Sequence, residues 1–249
     1  MTTPILKVTG LAKAFDGVRA VDGVSFDVAA GELVALIGPN GAGKSTCFNL
    51  VNGQLAPDAG TITLADQRID GLAPQSIARR GVGRTFQVAA TFASMTVREN
   101  VVLSLLAHAG MHGTMLAKPD ARLAAQADTL LARVGCLELA DTHCATLAYG
   151  NAKRVELALA LAGKPRLLLM DEPTAGMAQN SRGKLMRLAS ALAKSDRIAV
   201  LFTEHDMDVV FGFADRVIVL DRGKIIAEGT PDAIRADPRV QAVYLGGDP

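Results

Sequence analysis

The chain has 249 residues, 49% hydrophobic and 20% charged, and its 26 Lys and Arg against 25 Asp and Glu leave a formal net charge of +1. That length and apolar content support a buried core and exclude a largely disordered chain, while the near-neutral balance leaves no basic field for dedicated nucleic-acid binding. Mean hydropathy is +0.25, much of it from alanine, yet stretches such as 157–163 and 167–170 fall far short of the roughly 18–20 apolar residues that a bilayer span needs.

In chain order, residues 5–8 and 24–28 read as short strands separated by glycine-containing turns. Leu33–Ile37, LVALI, is a continuous apolar run that suits a central strand covered on both faces. It leads directly into GPNGAGKST and a helix over 45–52, and 61–64 reads as a further strand. Between Val97 and Gly163 the apolar spacing becomes helical, over 97–107, 121–134 and 151–162. Thr96 and Glu99 are placed to form a capping box on the first of these helices. Residues 167–170 form a second buried strand, ending at Asp171 and Glu172. Strands follow at 198–203 and 216–220, with an edge strand at 224–227, and Thr230 with Pro231 opens a C-terminal helix. No repeat or long linker interrupts the pattern, and no signal peptide is visible at the N-terminus. The expected architecture is one α/β domain over 1–249 with an inserted helical lobe. Its core covers 1–87 and 164–249, and the lobe covers 88–163.

The first chemical motif is Gly38, Pro39, Asn40, Gly41, Ala42, Gly43, Lys44, Ser45 and Thr46, which fits G-x-x-x-x-G-K-[ST]. Its glycines let backbone N–H groups turn inward around a polyphosphate, and the helix that starts there presents its positive end to the same anion. Lys44 is placed to bridge the terminal phosphates and Ser45 to offer its hydroxyl to Mg2+. Such a site needs a carboxylate. Asp171 at a strand's carboxyl end is the candidate for the metal, and Glu172 beside it the candidate to orient or deprotonate a water. The interval between Lys44 and Asp171 exceeds what simple P-loop switches and kinases need. A guanine-selective Asn-Lys-x-Asp motif is missing, and no acceptor residues for a kinase can be named. Cys47, Cys136 and Cys144 stand at no metal-ligand spacing, which argues against a disulfide scaffold or a zinc site and for a reducing cytoplasm. Cys47 reads as a small buried residue, although a label on it would reach the phosphate loop. His108 and His112 read as solvated or interfacial, since no carboxylate completes a metal site.

With these residues in place the chain resembles an ATP-binding cassette (ABC) ATPase over essentially its whole length. The glycine-rich motif is similar to the family's Walker A and residues 167–172 to its Walker B. Gln87 in TFQ falls at the Q-loop glutamine, His205 in TEHD at the switch histidine, and Phe15 at the aromatic that stacks on adenine. LAYGN at 147–151 is similar to the signature motif, where the resemblance implies that Gly150 meets the γ-phosphate of ATP held by an opposing subunit. Ala148, Tyr149 and Asn151 replace the usual serine, glycine and glutamine, and Ala178 stands where many members carry aspartate. The resemblance implies a P-loop (RecA-like) α/β core with a small antiparallel β subdomain and an inserted α-helical subdomain. It further implies ATP and Mg2+, with Ser45, Gln87 and Asp171 around the metal and Glu172, His205 and Gln87 serving hydrolysis.

LAYG, the AGM after EPT, and the ending GKIIAEGTPDAIRADPRVQAVYLG resemble the LivG-type ATPases of branched-chain amino acid importers. For such a chain the implied partners are two integral-membrane permeases and a second related ATPase or a second copy of itself. A periplasmic substrate-binding protein would act indirectly, and the chain would lie peripherally on the cytoplasmic face of the inner membrane. Urea or amide importers and lipopolysaccharide exporters use similar ATPases. A soluble ABC ATPase of translation or DNA repair, the alternative of a different class, usually carries two cassettes or a long coiled coil, neither of which is visible here. The segment from Gln87 to Leu105 is a candidate for lining a groove that receives a permease helix, with Arg98 as a contact.

Overall fold

Continuous apolar runs become central strands because both faces of the sheet they enter are covered, and this principle organises the chain. The computed structural model describes residues 4–85, 91–110 and 121–245. The first part comprises β1 (Leu6–Phe15), β2 (Val18–Val28), β3 (Leu33–Ile37), α1 (Lys44–Val51), β4 (Ala59–Leu64), β5 (Gln67–Arg68), α2 (Pro74–Arg79) and β6 (Val82–Thr85). Three helices follow, α3 (Val97–His108), α4 (Ala121–Arg133) and α5 (Tyr149–Leu161). The last part alternates β7 (Leu167–Asp171), α6 (Gln179–Asp196), β8 (Ala199–Thr203), α7 (Met207–Phe213), β9 (Arg216–Asp221) and β10 (Lys224–Gly229), then closes with α8 (Pro231–Ala236) and α9 (Pro238–Leu245).

Two sheets result. A four-stranded antiparallel sheet has the order β2-β1-β4-β5, and a six-stranded sheet has the order β10-β9-β3-β8-β7-β6. In the latter, β9, β3, β8, β7 and β6 are mutually parallel, and β10 runs antiparallel at the edge, as its sequence suggested. The period-2 alternation of side chains divides the core. Val34, Leu36, Leu167, Leu169, Ala199 and Leu201 face α1 and the antiparallel sheet. Leu33, Ala35, Ile37, Leu168, Met170, Val200 and Phe202 face the opposite way, toward the helices. Among the described residues no helix is long and apolar enough to cross a membrane.

Three boundaries differ from the sequence reading for identifiable reasons. β1 and β2 are much longer than 5–8 and 24–28, because Asp16 and Gly17, both at positive φ, form a tight hairpin turn. Gly10 and Gly23 then lie within the strands at positive φ, with the pairing register shifting between Val8 and Leu11. α5 starts at Tyr149 rather than residue 151, so Gly150 lies inside its first turn instead of ahead of it. The capping box of α3 forms as expected, with Thr96 accepting from the Glu99 N–H and Glu99 from the Thr96 N–H. Thr230 accepts from the Ala233 N–H and so caps α8.

Arg216 joins the two sheets. Its Nε donates to Glu32 Oε1 at 2.8 Å, its Nη2 to Glu32 Oε2 at 3.1 Å and to the Asp27 carbonyl at 2.7 Å, and its Nη1 to Glu228. The paired carboxylates raise its pKa further above the ordinary guanidinium value. Because the side chain keeps 21% exposure, its worth lies between that of surface and buried pairs. Arg216→Met should lower the unfolding free energy by about 1–3 kcal/mol in urea titrations. Arg216→Lys should recover less than half of that, since an ammonium cannot reproduce the fork.

Candidate active site

Parallel pairing brings the carboxyl ends of β3, β6, β7, β8 and β9 to one edge of the sheet, where α/β proteins bind ligands. The phosphate-binding loop leaves β3 at Gly38 and enters α1 through Gly43, which has φ +104. Two of its glycines are required by close backbone approach. A Cβ on Gly38 would lie 2.2 Å from the Leu220 carbonyl oxygen, and one on Gly43 would lie 2.3 Å from that of Ala20. Asn40, Gly41 and Ser45 are exposed on this loop and Ala42 is buried. Thr46 lies in the first turn of α1.

Lys44 is folded back into the loop, donating to the carbonyls of Gly38 at 2.6 Å and Pro39 at 2.9 Å. Burial lowers its pKa, and the nearby Glu172 and Asp171 act in the opposite direction. The ammonium is thus held where it can exchange carbonyl partners for phosphate oxygens.

β7 and β8 pair in register, with Asp171 opposite Thr203. Thr203 Oγ1 donates to Asp171 Oδ1 at 2.8 Å and also accepts from the Glu172 N–H at 3.1 Å. Glu172 is held at φ +46, a conformation that costs a non-glycine residue about 1–3 kcal/mol and concentrates at functional sites. Its carboxylate thereby meets His205, with Nε2 donating to Oε1 at 2.7 Å. Glu204 is buried and accepts from both the N–H and the hydroxyl of Thr174, at 2.8 and 2.7 Å. It thus clamps the loop after Glu172 to the strand end that carries His205.

The structure therefore brings together Lys44, Asp171, Glu172 and His205 around the phosphate loop. Gln87 lies outside the described residues, and so does His112. Phe15 ends β1 on the antiparallel sheet, with its ring exposed and Lys13 Nζ 5.7 Å from the ring centroid. Gly150 lies in the first turn of α5, whose N-cap position, Ala148, offers no side-chain cap. The Tyr149 hydroxyl donates to the Ala175 carbonyl at 3.0 Å, and Asn151 Oδ1 accepts from Arg154 at 2.6 Å. Ala178 is likewise an uncapped N-cap, at the start of α6.

The donor chemistry at the strand ends fits Mg2+. Ser45 and Asp171 supply hard oxygens, and among the described residues no group of three or more His, Cys, Asp or Glu could hold a metal by itself. Mg2+ suits such a sparse set because it takes one or two protein ligands, phosphate oxygens and waters.

Several contacts escaped the sequence reading. Arg84, Thr203 and Glu204 meet their partners only across the sheet. α9 lies beside the phosphate loop, where Ala242 and Val243 share a shallow cavity with Pro39, Asn40 and Gly41. Tyr244 meets the Gly38 backbone. Cys47 is fully buried with its thiol pushed up to about 12, so it is a packing residue and a poor target for a label.

The arrangement can bind a nucleoside triphosphate and activate a water against its terminal phosphate. Glu172→Gln should cut turnover by at least about 100-fold while ATP affinity, measured by equilibrium titration, stays within about threefold. Near-normal turnover would remove Glu172 from that role.

Known proteins match this chain. Residues 21–175 match the family described as ABC transporter, and residues 224–249 match one described as branched-chain amino acid ATP-binding cassette transporter. The chain is 41% identical to the high-affinity branched-chain amino acid transport ATP-binding protein LivG of Escherichia coli (strain K12), over 99% of each chain. It is 36% identical to the lipopolysaccharide export system ATP-binding protein LptB of the same organism, over 98% of each. Among solved structures, the ADP conformation of MJ1267, an ATP-binding cassette of an ABC transporter, superposes with a TM-score of 0.90 at 31% identity, covering 98% of this chain and 100% of that one. The chain belongs to the ABC transporter ATP-binding family, and it is an ATPase whose hydrolysis of ATP is coupled to transport.

Proposed function

We propose that this ABC ATPase powers the import of branched-chain or related amino acids. The observation that carries the hydrolytic part is the 2.7 Å contact between His205 and Glu172 beside the phosphate loop. The substrate class is supported by the match of residues 224–249 and by the LivG relative, which is more similar to this chain than the lipopolysaccharide export protein is.

In this reading ATP enters along the phosphate loop with its adenine on Phe15. Lys44 exchanges the Gly38 and Pro39 carbonyls for phosphate oxygens, and the loop's N–H groups and the start of α1 complement the remaining charge. Ser45, Gln87 and Asp171 would hold Mg2+, which supplies charge neutralisation on the phosphates when bound. Glu172 orients and deprotonates the attacking water, while His205 fixes the Glu172 carboxylate and, with Gln87, senses the γ-phosphate. Gly150 would approach the γ-phosphate held by a second ATPase, either a related chain or another copy. Ala148 brings no hydroxyl to that contact, so the first-turn N–H groups of α5 carry it.

The partners are two integral-membrane permeases, with a periplasmic binding protein acting through them, and the working position is peripheral, on the cytoplasmic face of the inner membrane. Between the core and α3 and α5 lies a groove of about 520 Å3, lined by Ile77, Val82, Leu103 and Leu159 with Phe92 at its side. Asn100 is buried and fixes the Phe92 backbone, accepting from its N–H at 2.8 Å and donating to its carbonyl at 3.1 Å. That holds a largely exposed aromatic ring beside an apolar cleft, which suits a helix from a permease. Arg98, expected as a docking contact, also has partners within the lobe. It binds Asp128 at 2.7 Å and also Asp141, tying α3 to α4 and to the segment after it, so reversing its charge would disturb the lobe itself.

Pull-down of the chain from detergent-solubilised native membranes should recover two polytopic permeases and a related ATPase. Phe92→Asp should reduce that recovery at least about tenfold and leave the basal ATPase of the isolated chain within about twofold. Recovery of a lipopolysaccharide-type permease would replace the import reading with export, and ribosomes or DNA as sole companions would remove the transport reading.

A further inference from the structure

Arg84 lies on β6, opposite Leu169 of β7, three residues before Gln87. Its guanidinium reaches three places at once. Nη1 donates to Asn49 Oδ1 on α1 and to Gln54 Oε1, each at 3.0 Å, and Nη2 donates to Asp171 Oδ2 at 3.2 Å. The side chain is 13% exposed and that of Asp171 is 20% exposed, so the pair is shielded from water on most sides. The other oxygen of Asp171 is occupied by the Thr203 hydroxyl at 2.8 Å. Arg84 also lines the apolar groove, together with Asn52 and Gln54. One cation therefore connects the helix of the phosphate loop, the carboxylate at the end of β7 and the wall of the groove.

An isolated carboxylate in such a site would be costly, and a guanidinium that never loses its proton is suited to balance it. The same guanidinium repels any divalent cation that approaches Asp171. Like charges several ångströms apart in a half-shielded site interact by more than a single hydrogen bond contributes, so repulsion outweighs any benefit from orienting the carboxylate. We propose that Arg84 is a positioning residue that acts through Asp171: it pairs with the carboxylate before a divalent cation arrives and so weakens that cation's binding. This rests on reading Asp171 as the metal carboxylate. Because the same side chain is braced by Asn49 and Gln54, the strength of the ion pair depends on how α1 and the groove wall sit relative to β7.

Binding of Mn2+, followed by electron paramagnetic resonance with β,γ-imido-ATP present, tests this without turnover. Arg84→Gln should tighten Mn2+ binding about three- to tenfold. Arg84→Lys, which keeps the charge, should stay within about twofold of the parent, and affinity for the analogue in EDTA should be unchanged in both. Should Arg84→Gln fail to fold by circular dichroism, Arg84→Met supplies the same comparison. Unchanged or weaker Mn2+ binding in the folded neutral variant would overturn the proposal, as would equal tightening in Arg84→Lys. Asp171→Asn separates the two claims. It should weaken Mn2+ binding, and parent-like binding in that variant would overturn the metal reading of Asp171 itself.

Discussion

The constraint on which this protein depends is the parallel pairing of β3, β8 and β7. All five residues of β3 and of β8 are buried, as are the first four of β7. Strands covered on both faces can present chemistry only at their ends, and parallel strands have all their carboxyl ends on one side. The phosphate loop, the Asp171–Glu172 pair and His205 share a site because each is the first polar segment after a buried apolar run. The register of β7 and β8 adds precision. Asp171 opposite Thr203 lets one hydroxyl fix the carboxylate of Asp171 and the backbone of Glu172 together.

Charge balance follows from that convergence. The carboxylates of Asp171 and Glu172 and the cations of Lys44 and Arg84 crowd one edge of a low-dielectric sheet. Lys44 is held by backbone carbonyls and Arg84 by side-chain oxygens, while Glu172 turns toward His205. The cations thus differ in how readily they can change partners. Lys44 sits in neutral hydrogen bonds, which an anion can replace. Arg84 sits in a braced ion pair, which holds it to the scaffold. The same edge reaches outward through Arg84 and Gln54 to the apolar groove between the core and α3 and α5, so the nucleotide edge and the groove share side chains rather than mere proximity.

The sequence disclosed what depends on local order. LVALI followed by GPNGAGKST, and LLLM followed by Asp171 and Glu172, place strand, loop and carboxylate without knowledge of the fold. The capping residues Thr96 and Thr230 were legible for the same reason, since their partners are three residues away. Contacts that close across the sheet were not. Arg84 and Asp171 are 87 residues apart, and Thr203 and Asp171 are 32 apart, so nothing local marks them as partners. The ion pairs of Arg98 were not legible either, because Asp128 and Asp141 join it only when α3, α4 and the segment after α4 pack. Strand lengths were underestimated where Gly10 and Gly23 suggested turns but instead sit in bulged, twisted pairing. The start of α5 was placed late because Ala148 gives no capping signal.

Calorimetric titration of ATP into the parent chain and into Lys44→Ala tests the central claim most directly. The Lys44 side chain sits inside the phosphate loop while its charge faces both carboxylates. The account predicts saturable one-to-one binding to the parent and a loss of affinity of at least about 100-fold in the variant, with the fold intact by circular dichroism. Equal affinity in the two proteins would contradict the account, because triphosphate binding would then not pass through the loop at the end of β3.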